Sequence, residues 1–247
     1  MNKYYDMAAK ASKEIGNHPG LKKLKQLIGE SNKVLDVGCG EGSRLETLLP
    51  KGRSGWGVDI SDTAIGYAQK KYPHHKFSIS DASHLPYDSN SFDLVYSAFA
   101  VEHVTEPKLV INEMIRVCKS QGKVVILCPN YGAPNRRSPV SIQNPISELL
   151  KGLMFDFFPD SRLSWDKVVP QKTYTELDTD TTIEPYLHSL IHYLKNLPVR
   201  IVNYSSVWEE EAKSNNPRKL IVKILGKSGL FPFKYWGPQV FVVVQKI

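Results

Sequence analysis

A chain of 247 residues with 41% hydrophobic, 23% charged and 10% aromatic residues has the make-up of one large α/β unit, which excludes disordered, collagen-like and coiled-coil architectures. No run approaches the roughly 18 apolar residues of a membrane-spanning helix, the longest being Val124 to Cys128 and Val240 to Val244. The net charge of +7 arises outside residues 31–128, where basic and acidic residues balance, and no block of five or six basic residues marks a nucleic-acid arm.

Met1 to Lys13 carries charges and tyrosines where a signal peptide would carry an apolar stretch, so a cytoplasmic location is expected. From residue 31 to 128 short apolar runs alternate with amphipathic stretches, the pattern of successive βαβ units. Strands are predicted at Lys33 to Val37, Trp56 to Ile60, Lys76 to Ser80, Phe92 to Ser97 and Lys123 to Cys128. Helices are predicted at Gly42 to Leu49, from a Ser61 or Asp62 cap to about Lys71, and at Lys108 to Val117. Prolines then punctuate an irregular cap over residues 131–182, with one helix at Ile146 to Phe158. A second amphipathic helix is expected at Ile183 to Leu197, followed by late strands at Val199 to Val207 and Gln239 to Gln245. Cys39, Cys118 and Cys128 show no CxxC spacing, so reduced thiols are expected and no metal site is indicated.

The most informative segment is Val34-Leu35-Asp36-Val37-Gly38-Cys39-Gly40-Glu41-Gly42, an apolar strand running into a turn with glycine at every second position. Such a turn lets backbone approach a nucleoside and aims helix N-terminal amides at it. A dinucleotide G-x-G-x-x-G pattern counted from Gly38 needs glycine where Ser43 stands. Asp36, two residues before the first glycine, would repel a pyrophosphate and suits the ammonium of an amino-acid-bearing cofactor, which favours S-adenosyl-L-methionine.

Four segments in order, VLDVGCGEG at 34–42, GVDIS at 57–61, SDASHLPYDSNSFDLV at 80–95 and SAFAVEHV at 97–104, resemble the class I S-adenosylmethionine-dependent methyltransferases, in particular the small-molecule branch typified by ubiquinone and menaquinone methyltransferases. The resemblance covers about residues 31–130, and the late strands at 199–245 resemble the family's closing hairpin. It implies a Rossmann-like, seven-stranded, mostly parallel sheet with helices on both faces, a closing antiparallel β-hairpin and a cap insertion after strand 5. One domain is expected over 1–247: a helical lid at 1–30, a cofactor core at 31–130, the cap at 131–182 and a closing part at 183–247.

By the same resemblance, Asp36, Gly38, Cys39, Gly40 and Gly42 form the cofactor turn, Asp59 accepts from both ribose hydroxyls, and Ile60 packs on adenine. Asp81 takes the exocyclic amine, the Ala82 amide a ring nitrogen, and Ser97 and Ala98 line the methionine end. Tyr4 and Tyr5 would fold over the sulfonium, Asn130 and Tyr131 would orient substrate, and Arg136 and Arg137 either clamp an anionic substrate or sit as exposed loop charges. His103 is the candidate general base, its alternative being a histidine bonded to backbone beneath the cofactor. Glu184, His188 and His192 share one helical face, read as solvated rather than metal-binding. The apolar cap residues Leu149, Leu150, Leu153, Met154, Phe155, Phe157, Phe158 and Trp165 are expected to close a pocket, in preference to resting on a membrane, because their helix carries a single lysine, Lys151.

The function expected is methyl transfer from S-adenosylmethionine to a small molecule, lipid- or sugar-linked, by a monomer or homodimer. RNA or protein methylation, a dinucleotide oxidoreductase and a non-catalytic cofactor-binding domain are the alternatives. Ser97-Ala98-Phe99-Ala100 in place of an Asn-Pro-Pro-Tyr-type sequence argues against nucleic-acid amine chemistry.

Overall fold

The computed structural model describes residues 18–163, 165–171, 179–211 and 215–247. Among these, one seven-stranded sheet runs in the order β3-β2-β1-β4-β5-β9-β8, built from β1 (Val34–Val37), β2 (Trp56–Asp59), β3 (Lys76–Ile79), β4 (Phe92–Ala98), β5 (Cys118–Pro129), β8 (Val199–Ser205) and β9 (Gln239–Lys246). β3, β2, β1, β4 and β5 pair in parallel, while β9 runs antiparallel to both β5 and β8. A separate two-stranded ladder joins β6 (Asp166–Lys167) to β7 (Ile183–Glu184). This is the mostly parallel sheet with a closing antiparallel hairpin that the sequence implied.

The central strands β1 and β4, the second half of β5 and β9 are largely apolar because both of their faces are covered. Alternation divides them: Leu35, Val37, Val95, Val124 and Ile126 enter one core, whereas Val34, Leu94, Tyr96, Val125 and Leu127 enter the other. Helices α4 (Pro107–Val117) and α6 (Leu187–Leu194) pack into the first core; α1 (Pro19–Gly29), α2 (Ser43–Leu48) and α3 (Asp62–Lys71) pack into the second. Local signals set their ends. His18 Nδ1 accepts from the Leu21 amide at the start of α1, and Ser61 Oγ accepts from the Ala64 amide at the start of α3.

Two expectations are corrected. The helix expected from Ile183 breaks into β7 and the shorter α6, because Pro185 disfavours helical geometry at Glu184 and has no amide to donate. Strand β5 begins at Cys118, five residues early, with a register shift opposite Phe92 and Leu94. The cap contains helix α5 (Pro145–Phe157), and a further helix, α7 (Pro217–Lys227), lies in the excursion before β9. No described helix is long and apolar enough to cross a membrane.

Candidate cofactor and acceptor cleft

The chain order reverses between β1 and β4, where β2 and β3 extend to one side and β5 to the other. Connections leave the sheet in opposite directions at such a point, so a crevice opens beyond the carboxyl ends of the strands. A cleft of about 540 Å³ lies there, lined by the β1, β2 and β4 ends and by the turn at Val101–His103. That volume falls within the range of small-molecule sites.

The floor is the glycine turn. Gly38, Gly40 and Gly42 all adopt positive φ, at 81°, 54° and 81°, which L side chains rarely tolerate. A Cβ at Gly38 would also lie 2.3 Å from that of Ala100. The Gly38 and Cys39 amides donate to the Val58 carbonyl, pinning the turn against β2. At the end of β2, Asp59 Oδ2 accepts from the Gly40 amide at 2.8 Å and Oδ1 from the Ser61 amide at 2.9 Å. A carboxylate has about four lone-pair sites, so Asp59 retains capacity for two further donors.

Beside it, Ile60 is 72% exposed on the cleft wall, an apolar surface suited to a flat ring. Asp81 Oδ1 accepts from the amide and hydroxyl of Ser83, which hold its carboxyl below the usual range. Gly38, Cys39, Gly40, Asp59, Ile60, Asp81, Ala82, Ser97 and His103 therefore share one cleft. An open glycine turn, a carboxylate with spare acceptors and an exposed isoleucine together fit an adenosine bearing an amino-acid tail.

Asp36 is placed differently from the sequence expectation. It is fully buried beneath the turn, away from the cleft lining, with Oδ2 accepting from the Tyr96 hydroxyl at 2.8 Å. Burial pushes its carboxyl up to about 7, opposed by the Arg44 guanidinium and the Tyr96 hydrogen bond. Gly42 and Ala98 likewise flank the cleft without lining it. The Ala98 carbonyl accepts from Arg44 Nη1, and the guanidinium sits 5.4 Å from the Phe99 ring centroid.

Arg44 lines the cleft and was not singled out from the sequence, although its position just after the glycine turn is a signal that pointed there. Asp180 also lines it, and no local pattern marks that residue. Its Oδ1 lies 3.3 Å from His103 Nδ1. The pairing is held by Thr182, whose amide donates to the Glu102 carbonyl and whose hydroxyl donates to the Val104 carbonyl at 3.0 Å. The fully buried Glu102 carboxylate approaches His103 Nε2 at 3.9 Å from the opposite side.

The expected acceptor residues do not gather here. Asn130 is completely buried and ties three backbone groups: Nδ2 donates to the Tyr235 and Gly237 carbonyls, and Oδ1 accepts from the Leu187 amide. It is a structural tether, not a substrate ligand. Arg136 is neither a free clamp nor an exposed charge, since its guanidinium pairs with Glu211, donates to the Trp236 carbonyl and lies over Trp208. Arg137 is exposed and lines no part of the cleft, and Tyr131 faces a separate small cavity. Tyr4 and Tyr5, with most of the expected lid, lie outside the described residues.

The face carrying Glu184, His188 and His192 is not solvated. Glu184 is buried and accepts from the Ser138 amide and hydroxyl, while His188 stacks on Tyr235 at 4.2 Å and meets Asp156. A different cluster gathers Glu46, His74 and His75. There the Gly55 amide donates to His75 Nδ1, which leaves the proton of a neutral ring on Nε2 facing Glu46, a hydrogen-bonded pair rather than an open metal ligand.

The switch-point cleft, the glycine turn and the strand-end acid define a class I Rossmann-like fold with a nucleoside site. Residues 35–126 match the family described as a methyltransferase domain, and this segment belongs to that family. The demethylmenaquinone methyltransferase of Renibacterium salmoninarum is 36% identical over 94 residues, covering 38% of this chain and 40% of that one. The malonyl-[acyl-carrier protein] O-methyltransferase of Hamiltonella defensa is 32% identical over 123 residues, covering 49% and 46%. The chain thus spans less than half the length of these curated relatives.

Among solved structures, the S-adenosylmethionine-dependent methyltransferase of Mesorhizobium loti superposes with a TM-score of 0.55 at 15% identity, over 92% of this chain and 96% of that one. A chain from the Haloferax volcanii complex of the Trm112 methyltransferase activator gives 0.58 at 15% identity, over 98% and 95%. At that identity the likeness concerns the fold.

Proposed function

We propose that the chain is an S-adenosylmethionine-dependent methyltransferase acting on a small molecule. The observation that carries this is the pairing of Asp59 with Gly40 across an open glycine turn, beside the exposed Ile60. Bound S-adenosylmethionine supplies an electrophilic methyl group on a sulfonium. Asp59 would receive the ribose hydroxyls, Ile60 the adenine face and Asp81 the adenine amine, while the turn from Gly38 to Gly40 would lie against the amino-acid tail. The protein's main contribution is then alignment of donor and acceptor, an effect worth up to about 7–11 kcal/mol in favourable intramolecular systems.

His103 is the proposed proton acceptor where the substrate presents a hydroxyl. A carboxylate oxygen of Asp180 lies 3.3 Å from one ring nitrogen, which orients the imidazole toward the cleft for that role. The small-molecule acceptor is supported by the names of the relatives, which include a menaquinone precursor and an acyl-carrier-linked malonyl group.

The test is calorimetric binding of S-adenosylhomocysteine followed by a methyl-transfer screen with quinol, carboxylate and sugar acceptors. Binding together with turnover on at least one acceptor supports the proposal. Binding without turnover on any acceptor favours a sensor or structural domain, and no binding removes the proposal altogether.

A further inference from the structure

Helix α5 is built inside out. The face it turns to the protein carries Gly152, packed against Pro134 so closely that a Cβ would lie 2.4 Å from its ring, and the fully enclosed Asp156. Asp156 accepts from the Tyr186 hydroxyl and from Trp236 Nε1 at 2.9 Å, and its Oδ1 lies 3.0 Å from His188 Nδ1. The outward face carries Ile146, Leu150, Met154 and Phe157, exposed by 69%, 63%, 56% and 61%. These side chains do not close the cleft, as the sequence had suggested. They point away from the body that α5 rests on.

Helix α7 repeats the arrangement. Gly226 packs on Trp208, and Leu220, Ile221 and Ile224 are each more than half exposed. Phe157 meets Phe231, just beyond α7, edge-on at 5.3 Å, joining the two outward faces into one patch. Single exposed apolar residues are ordinary on a protein surface, but a contiguous patch from two helices marks an interface.

Charge identifies the occupant. Helix α7 itself carries Arg218, Lys219, Lys223 and Lys227 and no Asp or Glu. Arg218 and Lys227 are exposed at the two edges of the α7 apolar face, with Lys219 exposed beside them, so α7 supplies the basic flank that α5 lacks. We propose that the α5–α7 face docks on an anionic lipid surface, its aliphatic side chains entering the headgroup boundary and its lysines meeting the lipid charges.

The experiment is co-sedimentation of the full chain with phosphatidylcholine vesicles and with vesicles containing phosphatidylglycerol, at low and high salt. Two variants accompany it, one carrying Leu150→Asp with Ile221→Asp, the other Lys219→Glu with Lys227→Glu. All four substituted side chains are exposed, so unchanged thermal unfolding is expected and verifies the fold of each variant. The proposal expects salt-sensitive partition into the anionic vesicles, reduced by about tenfold or more in each variant, with little binding to phosphatidylcholine alone. Equal partition of the three proteins, or no vesicle binding, overturns it. A dimer seen by light scattering that both variants abolish, without vesicle binding, assigns the face to a second copy instead.

Discussion

The amide of Gly40 donates to Asp59 Oδ2 at 2.8 Å, fastening the middle of the glycine turn to the end of the neighbouring strand. One carboxylate therefore shapes the turn and retains acceptors for a ligand. Asp59→Asn keeps one acceptor oxygen but loses the charge. Affinity for S-adenosylhomocysteine is predicted to fall about tenfold or more, since hydrogen bonds to a charged group contribute about 1.5–3 kcal/mol. Calorimetry of the variant against wild type reads this directly.

Asp36 gives a pH signature. Its folded-state carboxyl titrates near 7 rather than in the ordinary carboxylate range, so between about pH 4 and 7 the folded state holds a proton that the unfolded state has released. The stabilisation is complete below the unfolded value and is lost as pH rises through the folded one, at up to about 1.4 kcal/mol per pH unit. Asp36→Asn mimics the protonated form. Denaturant unfolding from pH 4 to 8 should show the variant gaining on wild type across this window, and parallel curves would contradict the burial argument.

His103 and Asp180 are predicted to act together in turnover. With an acceptor that must lose a proton, His103→Ala should lower kcat by about 10²–10⁴-fold. Asp180→Asn should lower kcat with the same acceptor by a smaller factor, because the carboxylate 3.3 Å from His103 Nδ1 fixes the ring's orientation. Asp180→Asn should leave S-adenosylhomocysteine affinity close to wild type. An unchanged kcat in Asp180→Asn would leave Asp180 without a role in positioning the base.

Asp156 anchors the cap to the core by accepting from Tyr186 and Trp236, with His188 at 3.0 Å. Asp156→Ala would strand these buried polar groups at about 1–3 kcal/mol each. The predicted outcome in denaturant titration is a lower midpoint, or a separate early transition as the cap releases.

Much of the core was legible in the sequence because its signals are local. Alternating apolar runs fixed β1 to β4, and the glycines at 38, 40 and 42 marked the turn before any fold was known. The errors occur where a partner is distant in sequence. His188 and Glu184 looked solvated from their own helix, yet Asp156 and Ser138 enclose them from 32 and 46 residues away. Asn130 and Arg136 occupied the loop position expected of substrate ligands, but segments about a hundred residues later use up their polar atoms. The apolar cap helix was read with its usual polarity, and only the packing of Gly152 and Asp156 shows which face is inside.

The central claim is tested most directly by titrating S-adenosylmethionine, S-adenosylhomocysteine and NAD into the full chain, with Asp59→Ala in parallel. The account predicts binding of both methionine-derived ligands, lost in the variant, and none of NAD. Preferential binding of NAD, or no binding of either methionine-derived ligand, would contradict it.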